Sequence, residues 1–189
     1  PEYRRKGIGR ALLTWLEEHA RAVAGEQAAM TPGFLHINST QYQVGLQALV
    51  RQADYGIKES WVLMVRPNLD TIPDTPLPEG LEVRLAQPKH FTAIWRAVEE
   101  AYVPEGGPSP TGEMPEDFKN DPNFQPELWQ VAWEASGEKV AGSVMTYISH
   151  AENKQLGLLR GYTEGISTVP AWQGRGVAKA LIALSLKAQ

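Results

Sequence analysis

Pro170-Ala171-Trp172-Gln173-Gly174-Arg175-Gly176-Val177-Ala178-Lys179-Ala180-Leu181 is the stretch on which the reading of this chain turns. Two glycines with a basic residue between them lead into apolar residues at helical spacing: Val177, Ala180, Leu181, Leu184 and Ala188. Ahead of them, Tyr162 to Val169 is rich in β-branched and aromatic residues and ends at Pro170. The order predicts strand, tight turn, helix. Small residues in such a turn keep side chains away from the helix mouth. The unpaired N–H groups of the first helical turn then converge on one spot, and the helix dipole makes that spot favour an anion. Arg175 and Lys179 add positive charge, and a pyrophosphate is the natural ligand.

The same pattern opens the chain. Residues 1–12, PEYRRKGIGRAL, align without a gap with residues 170–181, PAWQGRGVAKAL, at an offset of 169 residues. Tyr3 matches Trp172, Arg4 matches Gln173, Lys6 matches Arg175, Gly7 matches Gly176 and Gly9 matches Ala178. A helical period follows here too, through Ile8, Ala11, Leu12, Trp15, Leu16, His19 and Val23. The offset is about one domain length. Two copies of one domain in tandem would produce it, with this chain a window from the middle; the start at Pro1, inside the motif, fits that expectation.

Neither copy is a P-loop, which needs GxxxxGK[ST], nor a dinucleotide fingerprint, which needs GxGxxG after a strand. Arg4-Arg5-Lys6-Gly7-Ile8-Gly9 and Gln173-Gly174-Arg175-Gly176-Val177-Ala178 instead resemble the acyl-CoA pyrophosphate loop of the GNAT superfamily of N-acyltransferases. The run from Thr168 to Trp172 is similar to that family's passage from strand to loop. The resemblance implies an α/β (α+β) fold: a mixed, mostly antiparallel twisted sheet flanked by helices.

Read along the chain, the elements fall into two complementary halves. After the first loop come a helix to about Ala24, a loop over 25–33, and a short strand from Phe34 to Ile37. A cap signal at Asn38-Ser39-Thr40 follows, then a helix from about Gln43 to Ala53 and a terminal strand over 57–66. This is the order of the second half of a GNAT domain. Residues 67–80, with four prolines, read as a semi-extended linker. Leu81 to Leu85 then reads as a strand, 88–103 as a helix, 115–120 as a short helix, and 128–134 with 139–148 as an antiparallel pair turning at Ser136-Gly137. A loop over 149–160 and the strand from Tyr162 to Val169 complete a first half. The expected organisation is therefore residues 1–66 as the C-terminal half of one domain and 81–189 as the N-terminal half of the next. Together the halves hold one set of elements in permuted order.

Composition narrows the chemistry. There are no cysteines among the 189 residues, which excludes disulfides, thiolate zinc sites and a cysteine nucleophile. A net charge of −4 argues against a general nucleic-acid binder. No apolar run approaches the ~18 residues of a membrane helix and no signal-peptide pattern opens the chain, so no membrane partner and a cytoplasmic location are expected. Four scattered histidines offer no metal-ligand spacing.

The resemblance implies acyl transfer, most simply from acetyl-CoA to a primary amine of a small molecule or peptide, by direct attack and with no metal. Arg4, Arg5, Lys6, Gly7, Ile8 and Gly9, and Gln173, Gly174, Arg175, Gly176, Val177 and Ala178, would hold the donor. Thr168 and Val169 would pair by backbone with its pantetheine arm, and Asn38 would touch that arm or simply cap a helix. Glu164 is the candidate base that takes the proton of the amine, with strand parity placing it beside Tyr162 and Ile166. Phe91, Trp95 and Tyr102 are expected in the core. The acidic stretch from Glu105 to Asp121 offers either a solvated loop or a surface for a cationic acceptor. Where the family often has an acidic Tyr in its late helix, this chain has Val50, with Tyr42 and Tyr55 nearby. That marks the first copy as the one without full catalytic equipment. The competing class is a non-catalytic sensor or scaffold that binds acyl-CoA.

Overall fold

Val140–Tyr147 is an eight-residue strand buried over all but its last residue, and the second half of the chain is built around it. A strand buried on both faces needs apolar or small residues at every position, which Val140-Ala141-Gly142-Ser143-Val144-Met145-Thr146 supplies. The computed structural model describes residues 2–25, 33–103 and 107–189. It divides into two compact units, residues 1–64 and 65–189.

In the second unit, β1 (Leu81–Arg84), β2 (Gln130–Glu134), β3 (Val140–Tyr147) and β4 (Tyr162–Thr168) form one sheet in sequence order. Every pairing is antiparallel. The β2–β3 turn closes through Glu134 N–H to the Lys139 carbonyl at 2.9 Å. Two helices cover the two faces. On one, α3 (Phe91–Tyr102) sets Ile94 and Ala97 against Val131, Trp133 and Met145. Phe91, Phe118, Phe124 and Trp129 extend this core as an edge-on aromatic cluster. On the other face, α6 (Val177–Ala188) sets Val177 and Leu181 against Ala132, Ala141 and Val144. The result is the expected mixed α/β architecture: an antiparallel sheet flanked by helices.

Residues 67–80 form neither helix nor strand, as their prolines dictate. Their latter part is fastened to this unit: Leu77 packs on the α6-side core and Lys187 Nζ lies 3.0 Å from Asp74 Oδ1. The short helix α4 (Glu116–Lys119) stands where expected. Residues 149–160 do not form only a loop. His150–Leu156 is a helix, α5, closed by Gly157 in the left-handed region at φ 64°.

In the first unit, α1 (Ile8–Ala24) and α2 (Val44–Gln52) form as expected. The two expected strands do not. Residues 34–37 and 57–66 carry no strand, and Phe34, Trp61, Val62, Leu63 and Met64 are each at least 80% exposed. A strand requires a neighbour for its backbone groups, and among the described residues none pairs with these segments. All four strands of the sheet lie within residues 81–168. The apolar stripe of α1 is exposed as well, at Ile8, Leu12, Trp15, Leu16 and Val23, while Leu13 is buried. Among the described residues, no helix is long and apolar enough to cross a membrane.

Candidate functional site

β4 ends at Thr168, a single 3-10 turn follows at Pro170–Trp172, and α6 begins at Val177. Gly174 and Gly176 are both left-handed, at φ 72° and 89°, a conformation that costs an L-residue strain. Neither has any atom within 4 Å of where a Cβ would stand, so the mouth of the helix is open. The first intrahelical bond runs from Ala180 N–H to the Gly176 carbonyl at 3.0 Å. The N–H groups of Val177, Ala178 and Lys179 therefore have no acceptor within the helix. Gln173 secures the turn, its Nε2 donating to the Thr168 carbonyl at 3.0 Å. Open space, free donors and two nearby cations fit an anionic pyrophosphate. Val169 is committed to the protein instead: its N–H donates to Ala141 and its carbonyl accepts from Trp172 N–H. It keeps no N–H for a pantetheine arm.

The loop that opens the chain repeats this geometry. Arg5 and Gly7 stand at the positions of Gly174 and Gly176 and are left-handed at φ 61° and 82°. Ala11 N–H bonds the Gly7 carbonyl at 3.0 Å, as Ala180 bonds Gly176. Lys6 Nζ lies 5.5 Å from the centre of the Tyr3 ring, and the Arg175 guanidinium lies 5.1 Å from that of Trp172. The sequence repeat is thus a repeat of backbone and of cation–aromatic packing. Gly9 lets α1 approach α2: a Cβ there would stand 3.1 Å from Leu49 Cδ2.

Glu164 lies on β4 opposite Met145, while Ser167 lies opposite Ser143. Two steps along β3 match three along β4, so β4 carries one extra residue, a bulge at Gly165–Ile166. Gly165 takes φ 55° there, and a Cβ on it would meet Met145 at 3.1 Å. The bulge breaks the expected parity. Glu164 shares a face with Tyr162 and Ser167, and Ile166 turns to the other. Glu164 is exposed and accepts a hydrogen bond from the Tyr147 hydroxyl at 3.3 Å. Tyr147 stacks on Tyr162, ring centres 4.9 Å apart, and Tyr162 in turn donates to Glu152 at 2.6 Å. Burial, reinforced by the charge of Glu164, pushes the Tyr147 hydroxyl up to about 12, so it stays a donor at neutral pH.

Three features of this region do not follow from the sequence expectations. Tyr147 sits opposite Tyr162 in the register, which sequence alone does not fix. The bulge had a signal, a glycine inside a strand pattern. Tyr102 was expected in the core, yet it is 64% exposed and donates to the Ile166 carbonyl at 2.8 Å. It borders a cleft of about 500 Å³ between the end of α3 and residues 108–111. Part of the acidic stretch, including Glu105, lies outside the described residues.

Asn38 is exposed, six residues ahead of α2, and caps nothing. Thr40 N–H instead donates to Gln43 Oε1 at 2.9 Å. Tyr55 is tied to α1, donating to Glu17 Oε1 at 3.0 Å; burial and that carboxylate raise its pKa. Among the described residues, no cluster of His, Cys, Asp or Glu is placed to hold a metal ion.

A strand with a carboxylate just ahead of its bulge thus ends in an open, glycine-lined helix mouth. The sequence model of the acetyltransferase (GNAT) family matches residues 1–32 and 92–188, and the chain belongs to that family. It is similar to a mycothiol acetyltransferase from Paenarthrobacter aurescens (strain TC1), with 25% identity over 190 residues, covering 99% of this chain and 55% of that protein. The fold is similar to that of a GCN5-related N-acetyltransferase from Sphaerobacter thermophilus, with a TM-score of 0.67 and 23% identity, covering 100% of this chain and 56% of that one. The chain spans about half the length of both.

Proposed function

We propose that this chain is the middle of a tandem acyltransferase, carrying the C-terminal half of one GNAT domain and the N-terminal half of the next. The single observation that carries this reading is the repeat of the left-handed pair Arg5/Gly7 and Gly174/Gly176, each at the mouth of a helix. The match of the family in two separate segments supports it. So do the strand-like residues 57–66, which pair with no strand among the described residues.

The donor is acetyl-CoA and the acceptor a primary amine of a small molecule or peptide. The name of the relative from Paenarthrobacter supports acetyl as the group transferred. The amine nitrogen bonds the thioester carbonyl carbon, the carbon–sulfur bond breaks, and the thiolate leaves to be protonated. Gly174, Gly176 and the free N–H groups of Val177, Ala178 and Lys179 bind the pyrophosphate, with Gln173 holding the turn and Arg175 supplying charge. Thr168 leads into that loop. Glu164 accepts the ammonium proton, directly or through water, and Tyr147 orients its carboxylate. Most of the acceleration comes from holding two substrates together. Arg4, Arg5, Lys6, Gly7, Ile8 and Gly9 form the matching loop of the first domain, where Val50 replaces the acidic phenol.

The test is turnover of acetyl-CoA with a panel of primary amines by a chain extended at both ends, beside its Glu164→Gln variant. Release of free thiol that requires both an amine and Glu164 bears the reading out. Binding of acetyl-CoA without turnover on any amine favours a non-catalytic sensor instead.

A further inference from the structure

Trp172 lies in the loop between β4 and α6 but is fastened to the body of the second unit. Its ring packs on the apolar cores of both faces of the sheet, and its Nε1 donates to Oε1 of Glu134, the last residue of β2, at 3.1 Å. Its backbone N–H closes the 3-10 turn on the Val169 carbonyl at 2.9 Å. The ring is therefore a fixed platform. The Arg175 guanidinium lies over it, 5.1 Å from its centre, one residue ahead of the left-handed Gly176 that caps α6. Among the described residues Arg175 forms no ion pair, so its charge stays available. A ring face restrains a cation without consuming its N–H donors, which remain free for an anion. A loose arginine loses rotamer freedom when it binds; one already held by a ring loses less. The first loop shows the same pairing with neither residue the same: Lys6 Nζ lies 5.5 Å from the centre of the Tyr3 ring. In both loops the cation stands three residues after the ring and one before the glycine that caps the helix. The loops differ in anchorage, for Tyr3 is 71% exposed.

We infer that Trp172 is a positioning residue: its anchored ring holds the Arg175 guanidinium beside the open mouth of α6, so that the pyrophosphate of the acyl donor meets a cation already in place. The inference rests on the acyltransferase reading above. It assigns a share of the donor affinity to a residue without charge, exerted wholly through Arg175.

Calorimetric titration with acetyl-CoA reads the effect, on a chain extended at both ends and carrying Gly7→Asp to close the first loop. Trp172→Leu removes the ring face and should weaken binding about fivefold. Arg175→Gln should weaken it about tenfold. Trp172→Leu added to Arg175→Gln should change it further by less than about twofold. Trp172→Tyr restores a ring and should bind within about twofold of the unaltered second loop. A merely structural role gives equal weakening by Trp172→Leu with and without Arg175, and no rescue by Trp172→Tyr; either result overturns the inference. Unchanged affinity in Trp172→Leu or in Arg175→Gln overturns it too. Nitrogen-15 relaxation adds a reading that needs no change at Trp172. The Arg175 Nε–H should be more ordered than that of the exposed Arg51, and equal mobility overturns the inference even if Trp172→Leu does not fold. A Gly7→Asp protein that binds no acetyl-CoA overturns the second loop as a donor site, and this inference with it.

Discussion

Arg5 and Gly174 hold the same left-handed backbone conformation, φ 61° and 72°, at corresponding positions of two loops 169 residues apart. One loop accepts the strain of an arginine; the other avoids it with a glycine. The space around the missing Cβ of Gly174 is empty, so a side chain there meets only conformational cost. Gly174→Arg, which makes the second loop like the first, should therefore lower stability by about 1 kcal/mol. Denaturant unfolding measures it. A neutral result would mean the loop readily takes another conformation.

Ser143 and Ser167 form a fully buried hydroxyl pair between β3 and β4. Removing one oxygen strands the other away from water. Ser143→Ala should cost about 1–3 kcal/mol, and Ser143→Ala with Ser167→Ala less than the sum of the single changes. A double-mutant cycle by urea unfolding reads the coupling.

Gly142 sits where a Cβ would stand 2.6 Å from the Ser167 carbonyl and 3.3 Å from Val177. The first neighbour is backbone and has nowhere to go. Gly142→Ala should destabilise the sheet by roughly 1–3 kcal/mol, the cost of overpacking, and shift β4 or α6. Thermal unfolding checks the loss, and amide chemical shifts of 167 and 177 check its place.

Tyr147 provides a pH signature. Burial, with the neighbouring Glu164 charge, raises its pKa to about 12 from an ordinary value of 10.0. The folded state therefore holds this proton more tightly than the unfolded chain. Its contribution is complete below pH 10 and is lost as pH rises towards 12. Tyrosinate absorbance should show one late-titrating group that Tyr147→Phe removes. Glu164→Gln should bring that titration earlier, because both the charge and the acceptor change.

The parts of this molecule that local chemistry decides were legible from residues alone. α1, α3 and α6 follow from apolar spacing, and the turn at Ser136-Gly137 from its residues. The loop at Gly174–Gly176 was readable because glycine takes left-handed turns at a helix mouth with the least strain. Residues 34–37 and 57–66 have strand-like sequence but no strand, because pairing depends on a neighbour that propensity cannot supply. α5 was missed because its seven residues, five of them polar, carry little apolar period, although Gly157 marks its end. The side-chain face of Ile166 was misread because one inserted residue inverts every later position on β4. Tyr102 looked like core because helical spacing puts it on the apolar stripe, yet it ends α3 and reaches the bulge.

The central claim is that the loop from Gln173 to Ala178 grips the pyrophosphate of an acyl-CoA. Calorimetric titration with acetyl-CoA tests it most directly, on a chain extended at both ends, with Gly176→Asp and Gly7→Asp each beside the unaltered protein. An aspartate at 176 puts a side chain and a negative charge into the open helix mouth. The account predicts micromolar binding that Gly176→Asp abolishes. Binding that survives Gly176→Asp but is lost in Gly7→Asp would place the donor in the first loop, and no binding by the unaltered chain would contradict the account altogether.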